Sequence, residues 1–260
     1  MKKGFTLAEV ILTLTIIGVV AAITIPAMIH VTNKKATIEQ LKKSAKTLNY
    51  AVYLGIITDG DVQSWNWQSS DGPLKIMQEI ITPRLNVGFM CSGDAGNNKI
   101  CSYNVTNTLA EDESSQESDI KDIFDAKTRV YLTDGSLIAF ADRLSDNSGG
   151  GSSSGGGSGN DTDDTPKISD CRAGGDPKTL CGIFMIDVNG PKKPNVVGKD
   201  VFYYGLYLSG AVLPYGANES QDFVNENCTK GSTGTTCAAK IVNGGWDVCY
   251  NCSEPYPLVF

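Results

Sequence analysis

A stretch of twenty residues without a charge, Val10 to Ile29, lies close to the start of the chain. A helix of this length is about 30 Å long, which matches the hydrocarbon thickness of a bilayer. The stretch therefore predicts a transmembrane helix. Lys2 and Lys3 precede it, so the positive-inside rule places the N-terminus in the cytoplasm and the rest of the chain outside.

A cleaved secretory signal peptide also combines a basic start with an apolar run. Here the run is longer than the apolar part of a usual signal peptide and begins almost directly after the lysines. Ala21 and Ala22 lie inside the run, not beside a polar boundary where a peptidase would cut. Helical patterning also continues beyond Ile29, so we favour a retained membrane helix.

The composition supports a sizeable domain outside the membrane. The chain has 260 residues, of which 41% are hydrophobic, enough to build a packed core. Its formal net charge is -7 and its isoelectric point is about 4.8. Nucleic-acid binding needs clustered Lys and Arg to neutralise phosphates, so no nucleic-acid partner is expected.

Eight cysteines, all beyond residue 90, indicate disulfide bonds and an oxidising compartment. Eight cysteines allow many complete pairings, so the connectivity cannot be read from the sequence. The short spacings favour four local pairs, the last of which would close a strained loop. These pairs are Cys91–Cys101, Cys171–Cys181, Cys228–Cys237 and Cys249–Cys252.

The residues directly before the apolar stretch, Gly4 to Glu9, read Gly-Phe-Thr-Leu-Ala-Glu. This arrangement resembles the class III signal of type IV prepilins and type II secretion pseudopilins. The resemblance extends through Gly18 and Pro26, where such helices often carry a helix-loosening Gly and Pro. It implies that a prepilin peptidase cuts between Gly4 and Phe5 and that the new Phe5 amine is N-methylated.

Glu9 is the only charged residue between Phe5 and Ile29. A carboxylate near the end of a membrane helix is costly unless it is paired or close to the interface. In the family that the N-terminus resembles, the glutamate at this position meets the N-terminal ammonium of an adjacent subunit. The resemblance therefore implies an assembly role for Glu9; the alternative is a tolerated interfacial charge.

Apolar residues continue at steps of three and four beyond the membrane stretch, which predicts an amphipathic continuation of the same helix. Thr58-Asp59-Gly60 is a typical helix end. A helix from about residue 5 to 57 would be roughly 80 Å long, and Pro26 is expected to kink it or melt it locally. The apolar stripe consists of Ile38, Leu41, Ala45, Leu48 and Val52.

We divide the chain into a prepilin leader at 1–4, a transmembrane or filament-core helix at 5–29, an amphipathic continuation at 30–58 and an extracytoplasmic globular domain at 59–260. Asp134-Gly135 between two apolar runs predicts a hairpin, and strands are expected at 181–188 and 203–208. The Gly/Ser-rich composition of residues 145–166 predicts a flexible loop. The expected fold class is α+β and similar to the pilin fold: a long N-terminal helix packed on a small antiparallel sheet with long disulfide-bonded loops.

Asp187, Asn189 and Asp200 offer oxygen ligands around a tight turn, which suits Ca²⁺. The spacing is not that of an EF-hand, and an Asx-type turn without a metal is the alternative. This stretch also resembles the Asp-Asn-Gly loops of type II secretion pseudopilins, some of which bind calcium. We expect no cofactor, with Ca²⁺ as the possible exception.

We expect no enzymatic activity. The single histidine, His30, lies at the membrane boundary, so the outer domain has no histidine for a triad or a general base. No pair of carboxylates stands in a recognisable catalytic frame. Cys249 and Cys252 could be a redox pair or half a zinc site, but zinc would need two further ligands and we favour a structural disulfide.

Together, these features predict a structural subunit of a type II secretion pseudopilus or a type IV pilus-like filament. The expected partners are other pilin or pseudopilin subunits, the prepilin peptidase and N-methyltransferase, the inner-membrane assembly platform and membrane lipid. The expected location is the cytoplasmic membrane in a single pass, and a periplasmic or cell-surface filament after assembly. The alternative is a membrane-anchored extracytoplasmic ligand-binding protein that does not assemble. The sequence leaves open the kind of filament and whether the subunit is major or minor.

Overall fold

A single long helix forms the spine of the computed structural model. The structure describes residues 6–67, 72–91, 101, 128–141, 171, 175–229 and 231–246. The helix, α1 (Leu7–Asp59), runs from the N-terminal apolar stretch into the globular domain. It ends at Gly60, whose φ of 88° is favourable for glycine, so the predicted helix end is confirmed.

The helix is continuous through Gly18 and Pro26. The expectation that Pro26 melts the helix locally is therefore wrong. A helix tolerates an internal proline when the other turns keep their hydrogen bonds, at the cost of one bond. A bend of the helix axis at Gly18 or Pro26 stays a prediction.

The described strands form one antiparallel sheet in which strands that follow each other in sequence are also neighbours in the sheet. The hairpin turns at Asp134-Gly135, as predicted, with a φ of 89° at Gly135. The strands expected at 181–188 and 203–208 are confirmed. The six strands are β1 (Val87–Met90), β2 (Val130–Leu132), β3 (Leu137–Ala141), β4 (Leu180–Asp187), β5 (Val201–Tyr207) and β6 (Val212–Pro214).

Short helices complete the described part of the domain. One of them is α2 (Gly72–Lys75), which continues as a π-helix (Ile76–Ile81). Two more helices, α3 (Gln221–Glu226) and α4 (Cys237–Asn243), follow the sheet. The α+β, pilin-like fold that we expected is therefore confirmed.

The central strands β4 and β5 are buried on both faces. Residues on one face, such as Phe184 and Tyr204, share a core with the buried side of α1. Residues on the other face, such as Met185 and Tyr203, belong to a second, smaller core. Because strand side chains alternate, each strand serves both cores, which explains why β5 is apolar throughout.

The predicted apolar stripe of α1 packs on this sheet. All five of its residues, Ile38, Leu41, Ala45, Leu48 and Val52, are buried. Full burial of a Leu or Ile side chain contributes roughly 1.5–3 kcal/mol, so the stripe supplies most of the attachment of the helix to the domain.

Polar contacts orient the helix on the sheet. The ammonium of Lys43 lies 2.8 Å from a carboxylate oxygen of Asp134 in the β2–β3 turn. Burial alone would raise the pKa of Asp134, but hydrogen bonds from Lys43 and Ser136 lower it. At the far end of α1, Arg84 pairs with Asp59. Exposed ion pairs contribute about 0.2–1 kcal/mol to stability, so these contacts orient α1 more than they stabilise the fold.

We expect Leu48→Ala to lower the free energy of unfolding by about 2–5 kcal/mol, because it leaves a cavity between α1 and the sheet. Chemical unfolding of the full chain in detergent, followed by tryptophan fluorescence, measures this. Asn49→Ala, at the exposed neighbouring position, is the control and should change the free energy by less than about 0.5 kcal/mol. Equal effects of the two substitutions would contradict the packing described here.

Candidate functional site

The start of α1 is closed by a capping box between Thr6 and Glu9. The Glu9 Oε2 atom accepts hydrogen bonds from the main-chain nitrogen and the hydroxyl of Thr6, both at 2.9 Å. In return, the Glu9 main-chain nitrogen donates to the Thr6 hydroxyl at 3.3 Å. The carboxylate thereby has a partner inside its own chain, at the N-terminal end of the apolar stretch.

Thr6 is a site residue that we did not predict. The pattern Ser or Thr, two residues, then Glu before an apolar run is a known helix-start signal, so Thr6-x-x-Glu9 could have identified it. Gly4 and Phe5, where cleavage is expected, lie outside the described residues.

The segment Leu7–Ile25 is long and apolar enough to cross a membrane, and none of it is buried within the chain. Such a segment needs all its polar groups satisfied internally if it is to enter lipid. Its threonine hydroxyls meet this need by donating to main-chain carbonyls three or four residues earlier. These threonines are Thr13, Thr15 and Thr24.

Gly18 lies midway along this segment, and a Cβ atom added there would meet nothing within 4 Å. Within the described part of one chain, no close neighbour therefore requires a residue without a side chain at this position. The segment is consistent with a membrane anchor, which is the coarse location that we expected.

The three candidate calcium ligands do lie together, with Asp187 at the end of β4 and the other two in the loop between β4 and β5. Asp200 Oδ2 accepts from the side-chain nitrogen of Asn189 at 3.2 Å and from the main-chain nitrogen of Asn195 at 2.9 Å. Asp200 Oδ1 accepts from the main-chain nitrogen of Val196 at 2.7 Å. Asp187 Oδ1 accepts from the main-chain nitrogen of Asn189 at 3.0 Å, which is an Asx-type turn.

Asp200 is almost completely buried, at 1% exposure. Removal from water raises the pKa of this carboxyl, although the hydrogen bonds from Val196 and Asn195 oppose the rise. Asn195 itself has a positive φ of 54°, which asparagine tolerates better than most residues. The loop therefore keeps its shape by directing main-chain N–H groups at one buried carboxylate.

These contacts fit a structural loop better than a calcium site. Ca²⁺ takes six to eight oxygen ligands, whereas both oxygens of Asp200 already accept N–H groups. Asn189 Oδ1 is buried without a hydrogen-bond partner and remains available to a cation. Among the described residues, no three His, Cys, Asp or Glu side chains group as a metal site would require. Calcium binding stays a prediction.

Three disulfides are present in the described part of the chain: Cys91–Cys101, Cys171–Cys181 and Cys228–Cys237. They are the local pairs that the spacing favoured. Cys249 and Cys252 lie outside the described residues, so their pairing stays a prediction. The Gly/Ser loop at 145–166 also lies outside them.

Residues 1–25 match the family model of the prokaryotic N-terminal methylation motif. The chain therefore carries a type IV pilin-like prepilin signal, and the match supports a pilin-like protein that is processed as a prepilin. No curated protein and no solved structure matches the chain.

We expect Asp200→Asn to destabilise the β4–β5 loop, because an amide cannot replace a carboxylate that accepts three N–H groups. Each buried donor left without an acceptor costs about 1–3 kcal/mol, so the amides of Asn195 and Val196 should exchange with solvent faster. Hydrogen exchange followed by mass spectrometry measures this, with exposed Asp61→Asn as the control.

The same measurement addresses calcium. If the loop is structural, millimolar Ca²⁺ leaves the exchange of the unmodified protein unchanged. Slower exchange with Ca²⁺, lost in Asp200→Asn, would instead establish the metal site.

Proposed function

We propose that this protein is a structural subunit of a type II secretion pseudopilus or a type IV pilus-like filament. Prepilin peptidase cleaves it between Gly4 and Phe5, the new amine is N-methylated, and the subunit assembles through α1. The observation that carries the proposal is the methylation motif at residues 1–25, which includes an apolar helical segment, Leu7–Ile25, that the other described residues leave uncovered.

The uncovered helix supports assembly because its apolar surface needs an apolar environment both before and after the subunit leaves the membrane. Before assembly the segment Leu7–Ile25 lies in lipid, and after extraction it packs against the same segments of other subunits. Burial of apolar surface stabilises such packing by roughly 25 cal/mol per Å². The described part of the domain packs against the outer part of α1 and leaves this segment accessible.

Glu9 guides the register of the subunits in this proposal. The carboxylate lies four residues after Phe5, whose amine becomes the N-terminal ammonium after cleavage. An ammonium from an adjacent subunit would replace or join the Thr6 donors that the carboxylate now uses. A buried charge pair contributes little net stability, but a misplaced one is costly, so it selects one register.

The membrane orientation follows from the two ends of the segment. Lys2 and Lys3 favour a cytoplasmic N-terminus. The disulfides of the globular domain need an oxidising compartment, so they favour an extracytoplasmic domain. The partners of this mechanism are other subunits, the prepilin peptidase, the assembly platform and membrane lipid.

Within this class, a type II secretion pseudopilin is our first choice. The support is the turn from Asp187 to Gly190, which resembles the Asp-Asn-Gly loops of pseudopilins and connects to the buried Asp200. A pilin for adhesion, motility or DNA uptake is second. We propose no catalytic role, because the family of the motif is structural.

The decisive test is the intact mass of the protein from its native membranes. We expect a chain that lacks residues 1–4 and begins with N-methylated Phe5. A chain that still begins at Met1, or one cut near Ala22, would contradict the proposal. It would favour an anchored or secreted ligand-binding protein.

Glu9→Val tests the mechanism of assembly. We expect normal cleavage and methylation but loss of the protein from sheared filaments, because the carboxylate that selects the register is gone. The control is Thr15→Val, which removes a hydroxyl that already bonds within the helix and should leave assembly intact. Normal incorporation of Glu9→Val would argue against the pairing.

A further inference from the structure

Two adjacent lysines, Lys34 and Lys35, follow the apolar part of α1. We call them the membrane-proximal pair. Their Cα atoms lie about 8 and 9 Å along the helix axis from Ile29, the last residue of the predicted transmembrane stretch. The helix is continuous between Ile29 and the pair, so the position of the anchor in the bilayer also fixes the height of the two lysines.

We propose that the membrane-proximal pair binds the phosphate groups of anionic lipid headgroups, in the leaflet from which the globular domain projects. The inference rests on the membrane anchor of the proposed function but does not require that copies of the chain assemble. It adds to the apolar anchor a polar contact that holds α1 at one depth in the bilayer.

The height of the pair matches the headgroup layer when Val10 to Ile29 fills the hydrocarbon core. That core is about 30 Å thick and the whole bilayer about 40–45 Å, so each headgroup layer is roughly 5–8 Å deep. Side chains on a helix lean toward its N-terminus, which for α1 is the membrane end. The ammonium groups of the pair therefore lie closer to the bilayer than their Cα atoms do, at the level of the phosphates.

The membrane-proximal pair is not engaged by the described part of the domain. One of its lysines is half-buried and the other exposed, and neither forms an ion pair or a hydrogen bond with a described residue. The next two lysines of α1 do contact the domain. The ammonium of Lys43 lies 2.8 Å from a carboxylate oxygen of Asp134. The ammonium of Lys42 lies 5.8 Å from the centre of the Trp246 ring.

The distribution of charge restricts attraction to an anionic bilayer to the base of α1. Glu39 is the only carboxylate of α1 between Glu9 and Asp59, and its Cα atom lies about 15 Å beyond the membrane stretch. Residues 59–260 contain more acidic than basic side chains, so an anionic surface repels the domain as a whole. A lysine close to such a surface is attracted to it, and the attraction fades within a Debye length of about 8–10 Å.

Photocrosslinking of the full-length chain in vesicles tests the contact. The photoreactive amino acid benzoylphenylalanine replaces Thr32, an exposed position over which Lys35 leans. The vesicles contain anionic phosphatidylglycerol and neutral phosphatidylcholine in equal amounts, and mass spectrometry of the adducts gives the ratio of the two lipids at this position. We expect an excess of phosphatidylglycerol of at least about fivefold, the ratio that the attraction of a single lysine near an anionic surface produces.

Three variants, each with the photoreactive residue, assign the excess to the pair. Joint Lys34→Gln and Lys35→Gln should lower the ratio to about one, because the attraction is lost. Joint Lys34→Arg and Lys35→Arg should retain the excess, because arginine also carries a positive charge and binds phosphate. The matched control is Lys46→Gln, which removes an exposed positive charge about 26 Å beyond Ile29 and should leave the ratio unchanged.

A ratio near one in the chain that keeps both lysines would overturn the inference. An equal fall in the ratio for Lys46→Gln would overturn it too, because the excess would then reflect the overall charge of α1. Millimolar inorganic phosphate distinguishes a headgroup from free phosphate. Loss of the excess with phosphate, but not with sodium chloride of the same ionic strength, would assign the pair to free phosphate and overturn the inference. Since none of these outcomes involves filaments, the proposed function is decided separately, by the intact mass of the native protein.

Discussion

The structure depends on the ability of one α-helix to satisfy its main chain internally. Because the N–H and C=O groups of α1 bond within the helix, the same element can lie in lipid, in water or against a protein core. Only the side chains change along the length of α1. They are uncharged on all sides from Val10 to Ile25, charged on the exposed side around Glu39, and amphipathic where the sheet packs. The globular domain is attached to one face of this spine and leaves the others accessible.

The sheet and the disulfides hold the domain rigidly against the buried face of α1. Strands pair with their neighbours in sequence, so the sheet needs no crossover connection. Each described disulfide closes a loop of nine or ten residues and ties it to a fixed element: Cys91 follows β1, Cys181 lies in β4 and Cys237 begins α4. Short loops gain less from cross-linking than long ones, so these bonds serve mainly to hold loop ends against the sheet.

Sequence patterns predicted those parts of the fold that depend on residues close to one another in the chain. The stripe from Ile38 to Val52, the Asp134-Gly135 hairpin and the end of α1 at Gly60 all follow from side-chain period or from glycine conformation. Strand β1 was missed because Val87–Met90 is short, contains a glycine and shows no alternation of burial. The role of Asp200 was missed because its donors include Asn195 and Val196, whose amides converge on it only after the loop has folded. The pattern predicted oxygen ligands for a cation; in the structure the Asp200 carboxylate accepts N–H groups of its own chain, and calcium binding stays a prediction.

The capping box explains how a lone carboxylate can enter the membrane before it has a partner. Thr6 supplies two neutral donors to Glu9, so the charge is not left unsatisfied in the unassembled chain. A hydrogen bond from an ammonium is roughly twice as strong as one from a neutral donor, so in the proposed assembly the exchange of partners would favour the correctly placed neighbour. Its net gain is small, because the carboxylate gives up partners that it already had. In the proposed filament, Glu9 would therefore select the register, while the free energy of assembly would come from apolar surface, which the long uncovered part of α1 provides.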